Sequence, residues 1–368
     1  MNDLIEKLYI EPTSHCNLSC PMCSRNQWID EKIGHMDYAI FEKAIREAAQ
    51  IDSIHTIFFG GIGEPLSHPQ IMDMIKAAKE TGKNTELITN GTMLDDELIG
   101  EIIGSGIHRI WISADSVDDR QYASIRSGAD FQSLNDNLYH LKMLRKEKKS
   151  KLKVGISFVL MKKNADKLPA LPSFAEKYDI SDIKVTNLIP NSPEMTGQIL
   201  YERSLSLQLG EHVYDVNIDV PMFDLKEETI RPFYELYRSY ANFYSMGQKT
   251  ERKAGYCRFV HESNVFIRWD GEVCPCMALL HTAKTYLYDF ERTVKCASFG
   301  NMKNDSLIGI WHSKDYTAFR ERVRKFEFSP CTVCGGCDYR DSNEEDCFGN
   351  PFPVCGACLW AQGFVQCP

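Results

Sequence analysis

The chain has 368 residues, of which 43% are hydrophobic and 25% charged, and a formal net charge of −9. This length accommodates one large domain and a smaller one, and the acidic balance argues against a general nucleic-acid binder, which needs a basic face. No apolar run approaches the roughly 20 residues that span a bilayer, and the first ten residues lack the basic and apolar regions of a signal peptide, so a cytoplasmic protein with no membrane partner is expected.

Lys7–Glu11 reads as a short strand that runs straight into a loop carrying Cys16, Cys20 and Cys23. Helical spacing of apolar residues follows over Asp37–Gln50, Pro69–Glu80, Asp95–Ser105 and Phe131–Leu144. Strand-like runs lie between them at His55–Gly60, Glu86–Thr89, His108–Ala114, Lys153–Leu160 and Asp182–Leu188, with a helical stretch between the last two. Strands alternating with helices predict a parallel sheet with crossover helices. Six such units are too few for a complete eight-fold barrel. The basic run Arg145–Lys151 sits at a helix end, where cations complement the helix dipole. The aromatic-rich segment Lys226–Gln248 has helical spacing and is expected to link two halves of the chain.

The chain holds 14 cysteines, three of them in residues 16–23 and the other eleven in residues 257–368. In a chain without a signal peptide such cysteines bind metal more often than they pair. The first three are spaced C-x3-C-x2-C. Iron–sulfur clusters are normally held by four cysteines, so a three-cysteine loop leaves one iron open for chemistry. Structural zinc would want a fourth ligand, and only His15 is near.

A C-x3-C-x2-C loop just after a first strand resembles the signature of the radical S-adenosylmethionine superfamily. The resemblance implies an α/β fold with a partial (β/α)6 TIM-like barrel, and a 4Fe-4S cluster on Cys16, Cys20 and Cys23. The open iron chelates S-adenosylmethionine, and reduction yields a 5′-deoxyadenosyl radical. The run Gly60-Gly61-Ile62-Gly63-Glu64 resembles the family's Gly-Gly-Glu motif, which implies that Gly63 and Glu64 hold the methionine amino group. Thr89-Asn90-Gly91 taken alone is a turn; the resemblance adds Asn90 to the cofactor-binding set. Ser113 and Asp115 are implied to face the ribose, and Arg126 the methionine carboxylate, which suits its paired donors. Met22 stands where the family usually has an aromatic residue. The fifth strand reads as core, with some apolar atoms available to the adenine.

Asn264–Cys276 reads as a β-hairpin with an Asp270-Gly271 turn, and Asp270 is assigned to that turn. With Cys257 it forms C-x13-G-x4-C, which resembles the opening of a SPASM domain, the small iron–sulfur domain of peptide-modifying radical enzymes. That implies two auxiliary 4Fe-4S clusters drawn from Cys257, Cys276, Cys331, Cys334, Cys337, Cys347, Cys355, Cys358 and Cys367. The spacing departs from the SPASM pattern after Cys334, so cysteines are not assigned to clusters one by one. Cys274, Cys296 and one tail cysteine are the candidate spares. Cys331/Cys334 with Cys355/Cys358 also match a zinc-ribbon spacing, although the sequence between them is acidic. His281 and His312 have no partner visible in the sequence.

The expected layout is a barrel over 1–215, a helical linker over 216–256 and an auxiliary-cluster domain over 257–368. The tail Pro353–Pro368 looks like the C-terminus of the radical maturases found with tungsten-dependent aldehyde oxidoreductases. The combined expectation is a maturase that abstracts hydrogen from a peptide or protein substrate, with ferredoxin or flavodoxin as electron donor. Only fifteen residues precede Cys16, so a peptide-recognition domain is expected on a separate partner, or the substrate is a folded protein. The alternatives are a small-molecule radical dehydrogenase, a cluster scaffold without catalysis, and a zinc-ribbon binding protein.

Overall fold

The computed structural model describes residues 4–201, 217–220, 242–245, 248–249, 255–287, 290–329, 331 and 337–367. Six parallel strands alternate with helices in its first half. They are β1 (Lys7–Ile10), β2 (Thr56–Phe59), β3 (Asn84–Thr89), β4 (Arg109–Ser113), β5 (Lys153–Leu160) and β6 (Asp182–Asn187), hydrogen-bonded in that order. The strands are short, and β1, β2, β4 and β5 are rich in buried apolar side chains, as parallel strands covered on both faces must be, whereas β6 at the sheet edge has no fully buried residue.

The crossover helices begin at side-chain caps. Asp37 accepts the Ala39 N–H ahead of α1 (Tyr38–Ala49), and Asp95 accepts the Leu98 N–H ahead of α3 (Asp96–Gly104). Both residues satisfy amide groups that have no partner inside the helix. α2 (Ile71–Glu80) and α5 (Phe131–Glu147) bury one apolar face each, Met74 and Ile75 in the first, Leu134, Leu138 and Leu141 in the second. A 3-10 stretch (Lys162–Ala170) leads into α6 (Leu171–Tyr178). One further helix, α4 (Asp119–Ile125), is invisible to periodicity because it spans only seven residues.

The hairpin of the C-terminal half joins this sheet instead of standing apart from it. Strand Asn264–Ile267 pairs parallel to β1, Lys7 opposite Asn264 and Ile10 opposite Ile267, and Val273–Cys274 returns antiparallel beside it. The sheet therefore has eight strands. Its connecting loop closes with Gly271 N–H to Arg268 O and Arg268 N–H to Glu272 O. Gly271 sits at φ 92°, which a side chain would resist, as the bulge of a three-residue hairpin loop requires. Asp270 binds the Arg268 guanidinium through two contacts of 2.8 and 2.6 Å.

The main hydrophobic core is continuous from Leu8 and Phe58 of the barrel through Phe266 to Trp311 and Val323 of the C-terminal half. Helix Lys314–Lys325 and a two-stranded ribbon, Ala283–Leu287 with Phe290–Val294, complete the second half. The expected helix over 226–248 differs where it can be compared: Asn242–Ser245 is strand, paired with Asn217–Val220, and most of the remaining segment lies outside the described residues. No helix among the described residues is long and apolar enough to cross a membrane.

Candidate active site

Parallel strands present their carboxyl ends on one side, where α/β proteins place ligands. The cysteine loop follows β1 there, and the glycine-rich loop follows β2. The two touch through backbone: Glu64 N–H donates to His15 O at 2.7 Å. A Cβ built on Gly63 would stand 2.2 Å from Thr13 O and 2.7 Å from His15 O, so no side chain fits. Glu64 is buried and accepts the Leu66 N–H (3.1 Å) and the Asn90 N–H (2.7 Å). Burial raises its carboxyl above the usual range even though those hydrogen bonds favour the charged form. The Asn90 amide reaches the other way, to Asn17 Oδ1 at 2.9 Å, with its nitrogen 3.9 Å from Cys16 Sγ. Thus Glu64 and Asn90 connect three strand ends to the cysteine loop.

Cys16, Cys20 and Cys23 are unpaired thiols that influence one another electrostatically. Burial pushes Cys20 up to about 11, with the nearby Arg126 acting in the opposite direction. Asn191, just past β6, fastens the loop from the far side: its amide donates to Cys23 O at 2.6 Å and Pro21 O at 3.0 Å. Nothing in its sequence surroundings marked it.

Ser113 and Arg126 line a cavity of about 370 Å³ between the barrel and the cysteine-rich half. Asp115 does not line it. Its side chain is fully buried, 2.7 Å from the Arg126 guanidinium, and its other oxygen accepts the Val159 N–H at 2.7 Å. Burial raises the Asp115 carboxyl, and Arg126 pulls it back down. Both Asp115 oxygens are thus engaged, one by Arg126 and one by the β5 backbone, so its expected place at the ribose would be reached through Arg126.

Across the same cavity His281 has partners that the sequence hid. Its Nε2 is 2.9 Å from Glu11 Oε2 and its Nδ1 3.0 Å from Glu31 Oε2, and Trp28 stacks on the ring at 4.2 Å. Burial disfavours the imidazolium, but the hydrogen bonds to Glu11 and Glu31 outweigh it and lift its pKa to about 9. Glu11 Oε1 also accepts the Ile62 N–H of the glycine-rich loop at 3.0 Å.

The C-terminal cysteines fall into groups. Cys257, Cys276, Cys355 and Cys358 line one cavity wall and feel one another's charge. Burial raises the Cys257 thiol to about 12, with Cys358 adding to the rise, and also lifts Cys276 and Cys355 well above the usual thiol range. Such a set favours neutral thiols until an iron centre displaces the protons. Its size and all-sulfur chemistry fit the four-thiolate ligation of an iron–sulfur cluster.

Cys331 instead neighbours Cys347, Ser329 Oγ lying 2.8 Å from its sulfur. Cys337 and Cys347 are exposed, and Cys334 lies outside the described residues. Cys274 and Cys296 neighbour each other, apart from the four. Cys367 lines the same cavity as the four; its sulfur meets the Trp360 indole N–H at 3.4 Å, and burial raises its thiol while Lys184, Lys7 and Arg258 act in the opposite direction. Among the described residues no three His, Cys, Asp or Glu side chains converge on one point as a single metal ion requires. Cluster thiolates bind separate irons and need not converge in that way.

A thiol triad on one loop, a glycine-rich carboxylate loop beside it and a second thiol set on the wall of a cavity that Met22, Ile62 and Arg126 also line define an enzyme that works with iron–sulfur clusters and a sulfonium cofactor. Residues 10–169 match the model of the radical SAM superfamily, and residues 257–338 that of SPASM, an iron–sulfur cluster-binding domain. The chain belongs to the radical SAM superfamily of enzymes and carries a SPASM domain. It is 34% identical, over 98% of its length and 96% of the relative's, to the tungsten-containing aldehyde ferredoxin oxidoreductase cofactor-modifying protein of Pyrococcus furiosus. It is 23% identical to the PqqA peptide cyclase of Gluconobacter oxydans, over 95% of this chain and 89% of that one. In fold it is similar to Streptococcus suis SuiB bound to the precursor peptide SuiA, at a TM-score of 0.59 and 16% identity, over 92% of this chain and 72% of the other.

Proposed function

We propose that this protein is a maturase for a tungsten-dependent aldehyde oxidoreductase, and that it starts its reaction by abstracting hydrogen from a peptide or protein substrate. The observation that carries the reading is the similarity along nearly the whole chain to a protein named for modifying such an enzyme's cofactor. That name also favours a second reading, in which the modified molecule is the cofactor itself.

Bound at Cys16, Cys20 and Cys23, a 4Fe-4S cluster would supply the electron that turns S-adenosylmethionine into a hydrogen-abstracting radical. The residues around it do the positioning. Glu64 offers a buried carboxylate toward the methionine ammonium, and Gly63 lets the loop approach. Arg126, held by Asp115, offers a fixed cation toward the methionine carboxylate. Ser113 is available to the ribose. Trp28, Met22 and the buried C-terminal half keep water from the shared cavity, which protects reactive species. Cys257, Cys276, Cys355 and Cys358 would hold one auxiliary cluster, and Cys331, Cys347, Cys337 and Cys334 are the donors available to a second. A ferredoxin or flavodoxin would supply electrons, and a separate partner would present a peptide substrate. A cytoplasmic location accords with thiols kept reduced.

The test is anaerobic incubation of the reconstituted protein with S-adenosylmethionine, a low-potential reductant and the immature tungsten enzyme. Release of 5′-deoxyadenosine together with a mass change in the polypeptide supports the reading. A mass change confined to the extracted cofactor selects the second reading, and no dependence on the tungsten enzyme rejects both.

A further inference from the structure

Arg292 lies on the ribbon strand Phe290–Val294, is only 4% exposed, and lines the same cavity as Cys257, Cys276, Cys355 and Cys358. Among the described residues its side chain makes one hydrogen bond, from Nη1 to the Arg340 carbonyl at 3.0 Å. Among the described residues no carboxylate stands within ion-pair distance of it. Asp341 exerts the smallest of its named charge influences, and that side chain is 61% exposed. Burial disfavours the Arg292 cation, and the groups whose ionised forms would favour it most are Cys331, then Cys358 and Cys355. A guanidinium stays charged, and a buried unpaired charge is costly. This site therefore calls for an anion that no carboxylate among the described residues provides.

We infer that Arg292 is the counter-cation of the auxiliary iron–sulfur centre on the Cys257/Cys276/Cys355/Cys358 set, whose cavity it lines, and that it raises the reduction potential there. This rests on the proposed reading that those cysteines hold clusters. A four-thiolate cluster is anionic and becomes more so on reduction, so a cation nearby favours the reduced form. Net charge, hydrogen bonding and burial are what set such potentials. Arg292 is thus a positioning and tuning residue for electron uptake and not a catalytic one.

The experiment compares reconstituted wild type, R292Q and R292K by iron count and by redox titration followed with electron paramagnetic resonance. Wild type holding only about four irons per chain would remove the auxiliary-cluster reading itself, independently of Arg292. With auxiliary iron present, R292Q should show at least a tenfold lower ratio of reduced to oxidised auxiliary cluster at the wild-type midpoint, which is about 59 mV for a one-electron couple. R292K should stay near wild type, and the Cys16/Cys20/Cys23 signal should not move. Unchanged auxiliary potentials in R292Q overturn the inference. If R292Q fails to load iron, R292K decides: normal loading and potential support the role of charge, and failure in both variants overturns it.

Discussion

Glu11 and His281 meet 2.9 Å apart, one at the end of β1 and the other 270 residues later in the cysteine-rich half. The contact ties three parts of the site together. Glu11 also holds the Ile62 N–H of the glycine-rich loop, and His281 also holds Glu31, just beyond the cysteine loop. A shift of the C-terminal half is thereby felt where S-adenosylmethionine is proposed to bind.

This contact makes stability depend on pH in a defined direction. The His281 pKa is raised from 6.5 to about 9 on folding, so its contribution is complete below about pH 6.5 and is lost as pH rises through 9. The swing is of the order of 3 kcal/mol. Melting temperatures recorded from pH 6 to 10 should fall for wild type and fall much less for H281Q. Parallel curves for the two proteins would refute the assignment.

Gly63 permits the closest approach in the site, and G63A would drive a Cβ into Thr13 O and His15 O, which belong to backbone and cannot swing away. A displacement of the order of 1 Å can cost about 100-fold in rate. The expected result is a folded protein whose 5′-deoxyadenosine formation falls by about that factor. Wild-type turnover would show that the two loops separate freely.

Glu64→Gln keeps the shape of a fully buried side chain but removes its charge. Cluster iron should be retained while cleavage of S-adenosylmethionine falls by roughly 100-fold or more. Full activity in cells with E64Q would point to a scaffold that does not use the cofactor.

Removing Asp115 would leave Arg126 as a buried charge without its partner, and breaking such a pair costs roughly 3–5 kcal/mol. D115A should show that loss in denaturant unfolding, and its affinity for S-adenosylmethionine should weaken as Arg126 loses its orientation. A loss under about 1 kcal/mol would be the value of a surface pair and would contradict the buried geometry.

Iron content separates the cysteine groups. C257A, C276A, C355A and C358A should each lose up to about four irons per chain, one cluster's worth. C367A should keep the wild-type count, because the Cys367 sulfur meets the Trp360 indole N–H. A loss of iron in C367A would place that residue in the ligand set.

The sequence by itself determined the six parallel strands and most of the helices between them, in their order, but not α4 or the ribbon and helix of the C-terminal half. Lys153–Leu160 is a strand over the residues that its apolar run predicts, and the helices begin where Asp37 and Asp95 can cap them. The cysteine loop and the Gly63-Glu64 motif were equally legible, because their chemistry is carried by residues close together in the chain. Tertiary structure alone decided the rest. The strand Asn264–Ile267 sits beside β1 because a parallel edge needs a partner, and no local pattern states which partner it takes. Asp115 turns to Arg126 and His281 to Glu11, across gaps of 11 and 270 residues. Buried charges must find counter-charges in space, and spacing along the chain records contacts only within an element, not between elements that the fold brings together.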